Sequence, residues 1–180
     1  MKIDESFCLK EAEICLSPNH SDRDFDEISL IVIHNISLPP GEYGGGYIEK
    51  LFTNKLKPKD HPYFEEIFDM KVSSHLLIER DGSITQFVPF NKKAWHAGVS
   101  SYQGRENCNE FSIGIEIEGT DDTAYAKEQY NSLIEITNEL LKNYPDIRKN
   151  RIVGHSDIAP KRKTDPGESF DWELYLSSLL

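Results

Sequence analysis

Six residues, Ile28-Ser29-Leu30-Ile31-Val32-Ile33, constrain the fold more than any other stretch of this sequence. All but Ser29 are apolar and most are β-branched. A strand with one wet face alternates apolar and polar residues, so a run this continuous predicts a strand covered on both sides, inside a sheet. It is far too short to span a membrane. A strand covered above and below needs layers on both faces, which makes an α/β arrangement the expectation. The run ends at His34.

The rest of the chain supplies the partners. Residues 74–80 predict a second strand, and Asp81-Gly82 the two-residue turn that returns through residues 83–88, closed by Pro89. Residues 111–119 alternate cleanly, with Phe111, Ile113, Ile115 and Ile117 on one face and Ser112, Gly114, Glu116 and Glu118 on the other. Tyr130, Leu133, Ile134, Thr137, Leu140, Leu141 and Tyr144 follow the spacing of an amphipathic helix stopped by Pro145. Residues 151–154 predict a short strand ending at His155, and 171–180 a closing helix. Loops at Pro39-Pro40-Gly41 and Gly44-Gly45-Gly46 precede a short helical stretch over 47–56. Helices interspersed around a sheet that contains a hairpin predict a mixed α/β sandwich rather than a Rossmann fold. A chain of 180 residues without repeats or a long linker buries about 70% of its surface, enough for one core. Residues 1–180 are therefore expected to form a single domain.

Charge narrows the function. Twenty Lys and Arg against 31 Asp and Glu leave a formal charge of −11. That balance disfavours nucleic acid as a partner, because counterion release needs clustered cations. It equally disfavours anionic membranes and cell walls. A small soluble substrate remains open, since a pocket needs only a few local cations. Three cysteines, an odd number without a CxxC pair, argue against a disulfide framework. Met1-Lys2-Ile3-Asp4-Glu5-Ser6 lacks a basic segment followed by an apolar one, so the expectation is a cytoplasmic protein. No pattern in the sequence sets an oligomeric state.

His34 and His155 both follow predicted strands, where a rigid sheet delivers side chains to a cleft. Each is open to a structural, hydrogen-bonded reading and to a functional one. Asp165, in Arg162-Lys163-Thr164-Asp165-Pro166-Gly167, adds a carboxylate ten residues beyond His155. Two imidazoles and a carboxylate with a fourth position left to water make a catalytic zinc set, although no local HExxH pattern joins these three. Glu116 lies opposite the isoleucines beside Gly114, where a close approach is possible; the alternative is a solvated carboxylate on an exposed sheet face. Lys163 reads as a surface lysine or as a cation near Asp165. Trp95-His96-Ala97-Gly98 is an unusual tetrad for a loop, and Trp95 fits either packing or a substrate platform. The Gly44-Gly45-Gly46 run lacks the Lys-Ser/Thr of a phosphate loop, and Cys108 reads as inert.

Together these segments are similar to a known family. His34-Asn35-Ile36-Ser37-Leu38-Pro39-Pro40-Gly41, Trp95-His96-Ala97-Gly98, the stretch from Phe111 to Thr120, and Gly154-His155-Ser156-Asp157-Ile158-Ala159-Pro160 with Lys163-Thr164-Asp165-Pro166-Gly167 resemble the zinc-dependent N-acetylmuramoyl-L-alanine amidases. The match is nearest to the 1,6-anhydro-N-acetylmuramyl-L-alanine amidases of cytosolic muropeptide recycling, and it runs over residues 28–172. The resemblance implies a mixed sheet flanked by helices, as in phage amidases and peptidoglycan-recognition proteins. It implies Zn2+ on His34, His155 and Asp165, a general base at Glu116 and an oxyanion-stabilising Lys163. It also implies substrate contacts from Trp95 and Asn35, with an anhydro-muramyl peptide as substrate and neither nucleic acid nor membrane as partner. Arginine is expected at the positions held here by Lys71 and Asn107, where it would grip carboxylates of the stem peptide; Arg105 is a neighbouring substitute. Lysine loses the planar fork and asparagine the charge. Three alternatives compete: a non-catalytic peptidoglycan-fragment binding module, a lytic amidase acting on polymeric wall, and an unrelated metallohydrolase. The first typically lacks a zinc ligand; the second predicts export or a wall-binding unit.

Overall fold

The apolar run does enter a central strand, but that strand extends past it. The computed structural model describes residues 1–23 and 27–180, so Asp24 and Asp26 of the acidic amino-terminal stretch lie outside the described residues. In chain order the elements are β1 (Glu13–Ile14), β2 (His20–Asp22), β3 (Leu30–Ile36), α1 (Tyr47–Phe52), β4 (Leu76–Ile78), β5 (Ile84–Gln86), β6 (Lys92–Ala94) and β7 (Ser101–Tyr102). They continue with β8 (Arg105–Glu106), β9 (Ser112–Glu118), α2 (Lys127–Asn143), β10 (Ile152–Gly154), α3 (His155–Ile158) and α4 (Trp172–Ser177). Six strands form one sheet in the order β1-β5-β4-β9-β3-β10. Only the β4–β5 hairpin is antiparallel; β1–β5, β4–β9, β9–β3 and β3–β10 are parallel. The mixed sheet with its hairpin is therefore as expected.

Leu30, Ile31, Val32 and Ile33 are each 0% exposed, so β3 is covered on both faces. Ile31 and Ile33 join Ile113, Ile115 and Ile117 against Leu133, Ile136 and Leu140 of α2. Each such side chain contributes about 1.5–3 kcal/mol on burial. Leu30 and Val32 pack on the opposite face with Ala97, Cys108, Phe111 and Ile158, while Leu77 meets Leu51, Phe52 and Phe87. Two details differ from expectation. The strand does not stop before His34, because β9 pairs with it as far as Ile36↔Glu118 and supplies the backbone partners that two polar residues would otherwise lack. The second face of β9 is also dry: all seven residues from Ser112 to Glu118 are buried. In α2, Ile136 is a core residue, whereas Ile134 and Leu141 only pack at its margin.

The amino-terminal segment is built into the fold. β1 lies parallel along β5, and β2 pairs antiparallel with β6. Buried Asn19 donates its amide to the Val72 carbonyl (2.8 Å) and to Asn54 Oδ1 (3.0 Å), and the Ser73 hydroxyl donates to the Asn19 carbonyl (2.6 Å). Cys8, Cys15 and Cys108 are free thiols, and burial pushes that of Cys108 up, as suits an inert residue. Among the described residues no helix is long and apolar enough to cross a membrane.

Candidate active site

Three adjacent parallel strands, β9, β3 and β10, bring chemistry to their carboxyl ends, where sites in α/β sheets gather. His34 sits directly opposite Glu116 in the β3–β9 register. Gly154 pairs with Ile33, so His155, the next residue, emerges beside them. Asp165 arrives on the loop after α3. That loop is held by main-chain and side-chain bonds: Ser156 N–H donates to the Asp165 carbonyl (3.0 Å), and Asn35 Nδ2 (3.1 Å) and the Tyr125 hydroxyl (2.7 Å) donate to the Pro166 carbonyl. Gly154 makes the approach possible, because a Cβ there would lie 2.8 Å from Pro166 Cδ.

The result is a tight triangle of donor atoms. His34 Nδ1 lies 2.9 Å from His155 Nδ1 and 3.1 Å from Asp165 Oδ2, and His155 Nδ1 lies 3.0 Å from the same oxygen. Bonds of about 2.0–2.2 Å from one ion would reach all three atoms and leave a fourth tetrahedral position open. The donor chemistry, two imidazoles and a carboxylate, fits zinc. Glu116, which lines the same cleft, has a buried Oε2 with no hydrogen-bond partner, an orphan acceptor that calls for a ligand or water.

Electrostatics separate the two carboxylates. Burial alone would raise Asp165, but the contacts of its Oδ2 with the rings of His155 and His34 outweigh it and hold the carboxyl well below its usual range. Burial pulls His34 down to about 4 despite Asp165. Glu116 is raised well above the ordinary carboxylate value, first by burial and then by the Asp165 charge, with Lys163 opposing. Such a split marks one group kept anionic and another poised to carry a proton. A raised folded-state pKa favours the protonated form, so stability present below the unfolded value is lost as pH rises through the folded one. Metal-free Glu116→Gln should therefore melt a few degrees above the metal-free wild type near pH 7.5, with the gap closing near pH 4. Thermal unfolding at the two pH values checks this; an equal or lower melting temperature near pH 7.5 refutes it.

A cleft of about 370 Å³ opens over the triangle, lined also by Lys163, Trp95, Asn35, Tyr63, Met70 and Ser73. Lys163 is exposed. Trp95 is half-buried and fixed: its backbone N–H donates to Ser73 Oγ (3.0 Å) and its indole N–H donates to Ser21 Oγ (3.3 Å). The Asn35 amide faces Asp121 Oδ1 (2.8 Å) as well as the Pro166 carbonyl, so it ties the Asp165 loop while lining the cleft. Lys71, Arg105 and Asn107 are not brought together here. Lys71 is exposed between two lining residues, and Asn107 lines a separate surface pocket with Arg162. Arg105 stacks over Phe111 at 4.1 Å and pairs with Glu27 at 2.8 Å. Sequence reasoning missed the wall made by Tyr63, Met70, Val72 and Ser73; the only signals there were Pro58 and Pro62, which open the 3-10 turns Pro58–Asp60 and Pro62–Glu66.

This sheet and this cleft define a class. The chain belongs to the N-acetylmuramoyl-L-alanine amidase family, whose model matches residues 24–168. It is 62% identical to the 1,6-anhydro-N-acetylmuramyl-L-alanine amidase AmpD of Haemophilus influenzae, over 85% of this chain and 83% of that protein. It is 60% identical to the AmpD of Escherichia coli (strain K12), over 88% and 87%. A crystal structure of a selenomethionine AmpD derivative superposes with a TM-score of 0.97 at 55% identity, covering 100% of both chains. The Escherichia coli amidase AmiD, solved with anhydro-N-acetylmuramic acid-L-Ala-D-gamma-Glu-L-Lys, gives a TM-score of 0.62 at 28% identity, covering 84% of this chain and 57% of that one.

Proposed function

We propose that this protein hydrolyses the amide between the lactyl group of 1,6-anhydro-N-acetylmuramic acid and L-alanine, as a zinc enzyme of cytosolic muropeptide recycling. The observation that carries this reading is the triangle of His34, His155 and Asp165, no side longer than 3.1 Å, beside the unpartnered oxygen of Glu116. The AmpD relatives at 60% and 62% identity support the substrate class, and the three free thiols suit a reducing compartment.

His34, His155 and Asp165 would hold the zinc, which supplies Lewis acidity and lowers the pKa of a bound water to about 7. Glu116, kept ready to accept a proton by its raised pKa, takes one from the attacking water and passes it to the leaving amine. Lys163 at the cleft wall meets the negative charge as the carbonyl turns tetrahedral. Trp95 offers an apolar face to the substrate, and Asn35 keeps the Asp165 loop in place. A binding-only role is disfavoured because all three metal donors and both helpers are present.

The test is to load the purified chain with zinc and offer it an anhydro-muramyl tripeptide or intact cell wall. Mass spectrometry should find free anhydro-muramic acid and a peptide with an amino-terminal alanine from the soluble substrate, with far slower release from wall. No cleavage of either by the zinc-loaded protein refutes the activity; preferential attack on wall refutes the recycling role. Lys163 is the only Lys or Arg among the described residues lining the cleft, so selectivity for the third stem residue should be weak. We expect less than about a hundredfold difference in kcat/KM between tripeptides bearing diaminopimelate and lysine, since a larger ratio needs about 2.7 kcal/mol of differential binding. A ratio above that would reveal a carboxylate clamp built from other residues.

A further inference from the structure

The Trp95-His96-Ala97-Gly98 tetrad lies behind the donor triangle, and its backbone and His96 touch the far nitrogen of both histidines. His155 Nε2 lies 3.2 Å from the Ala97 carbonyl, and His34 Nε2 lies 2.9 Å from His96 Nδ1. His96 Nε2 in turn lies 3.1 Å from Ser112 Oγ, whose hydroxyl donates to the Cys108 carbonyl at 2.5 Å. A carbonyl oxygen can only accept, and that fact orders the protons of the chain from the Cys108 end, against Asp165 Oδ2, which draws a proton toward His34 Nδ1 from the other. Cys108 O takes the Ser112 proton, so Ser112 Oγ must accept from His96 Nε2–H. His96, with one proton on its ring, then offers Nδ1 as an acceptor, and His34 must donate from Nε2. Its Nδ1 is left as a bare lone pair pointing at the triangle. The Ala97 carbonyl favours the same tautomer on His155; Arg162 Nη2, a donor 3.4 Å from that nitrogen, makes its shorter bond (2.7 Å) to the Ala97 carbonyl itself.

The scaffold behind this relay is built for it. A Cβ at Gly114 would lie 2.4 Å from His96 Cγ, so the glycine in β9 makes room for that ring and for no ligand. Asn109 Oδ1 accepts the backbone N–H groups of His96 (3.1 Å) and Ala97 (2.8 Å). Arg162 donates to the Ala97 carbonyl (2.7 Å) and the Val99 carbonyl (2.8 Å) from the other side.

We propose that the 95–98 loop is a tautomer clamp in which His96 and Ser112 are positioning residues, presetting His34, together with the Ala97 carbonyl at His155, to present Nδ1 before any metal arrives. This rests on the zinc reading of the triangle, but it concerns the metal-free protein. Partners of this kind typically set metal affinity by about 10–100-fold.

The experiment is long-range proton–nitrogen NMR of the metal-free protein labelled at histidine nitrogen, near pH 8 where free imidazole is neutral, with zinc affinity from chelator competition. In the wild type both His34 and His155 should carry their proton on Nε2. In Ser112→Ala, which leaves every ring in place, and in His96→Phe, which keeps a ring on Gly114, His34 should become a mixture of tautomers while His155 does not change. Zinc affinity should fall by about tenfold or more in each variant. A wild-type His34 protonated on Nδ1, or both variants binding zinc within about twofold of wild type with His34 unchanged, overturns the clamp. If His96→Phe fails to fold, Ser112→Ala decides alone. Wild type that binds no zinc would sink the metal reading instead, and the tautomer signals would still judge the clamp.

Discussion

Alanine in place of Asp165 is expected to remove metal and activity in one step. Asp165 is the only anionic donor of the three; the neutral imidazoles that remain lose both a ligand atom and the charge that offsets the ion's own. Without a metal, the attacking water reverts from a pKa of about 7 toward 15.7, so the rate should fall by at least about 10³. The loop itself should persist, because its anchors use the carbonyls of Asp165 and Pro166 rather than the carboxylate. Zinc per chain after dialysis, the rate on an anhydro-muramyl peptide, and a melting curve read the three effects separately. A variant that keeps about one zinc and works within about tenfold of wild type would show that Asp165 is not a ligand.

The catalytic helpers should behave differently. Glu116→Ala is expected to keep its zinc and lose about 10²–10⁴ in kcat, the usual worth of a positioned general base. Lys163→Ala should also keep its zinc and lose about 10²–10³, the range for one oxyanion donor. Because each group is asked to act on the transition state, kcat and kcat/KM should fall together while KM moves little. Lys163 is exposed, so its removal leaves no cavity to confuse the result. Loss of zinc from the Glu116 variant would make that side chain structural; a Lys163 variant altered only in KM would make the lysine a substrate-binding cation.

Periodicity made much of the fold legible. The continuous run into β3, the alternation of β9 from Ile113 onward and the apolar face of α2 are local patterns that survive in the structure. The Asp81-Gly82 hairpin also forms, but its turn spans three residues, 80–82, because Ile78 pairs with Ile84 and Glu79 N–H donates to the Ser83 carbonyl. Phe111 packs with Leu30 and Val32 rather than with the isoleucines. The non-local facts were out of reach. Nothing in the composition of β3 or β9 says that His34 falls opposite Glu116, because register is chosen by the whole sheet. The polar face of β9 looked open to solvent; the ring of His96, arriving from 16 residues before Ser112, is part of what covers it. Arg105 looked available to a substrate, yet a distant Glu27 and the face of Phe111 already hold it. The residues that the sequence singles out and the fold brings together, His34, His155, Asp165 and Glu116, are of types with few chemical substitutes, whereas the cleft wall is made of ordinary Tyr, Met and Val.

Asn19 gives the amino-terminal segment a part in bracing the cleft that its acidic composition does not advertise. It is the keystone between Asn54, Val72 and Ser73, while Ser21 steadies the Trp95 indole. A chain trimmed of its first 22 residues would keep every group proposed to hold metal or move a proton. Its cleft wall, however, would be left standing without a buttress. Shortened forms should therefore decay first in their grip on substrate, with the chemistry outlasting the fit.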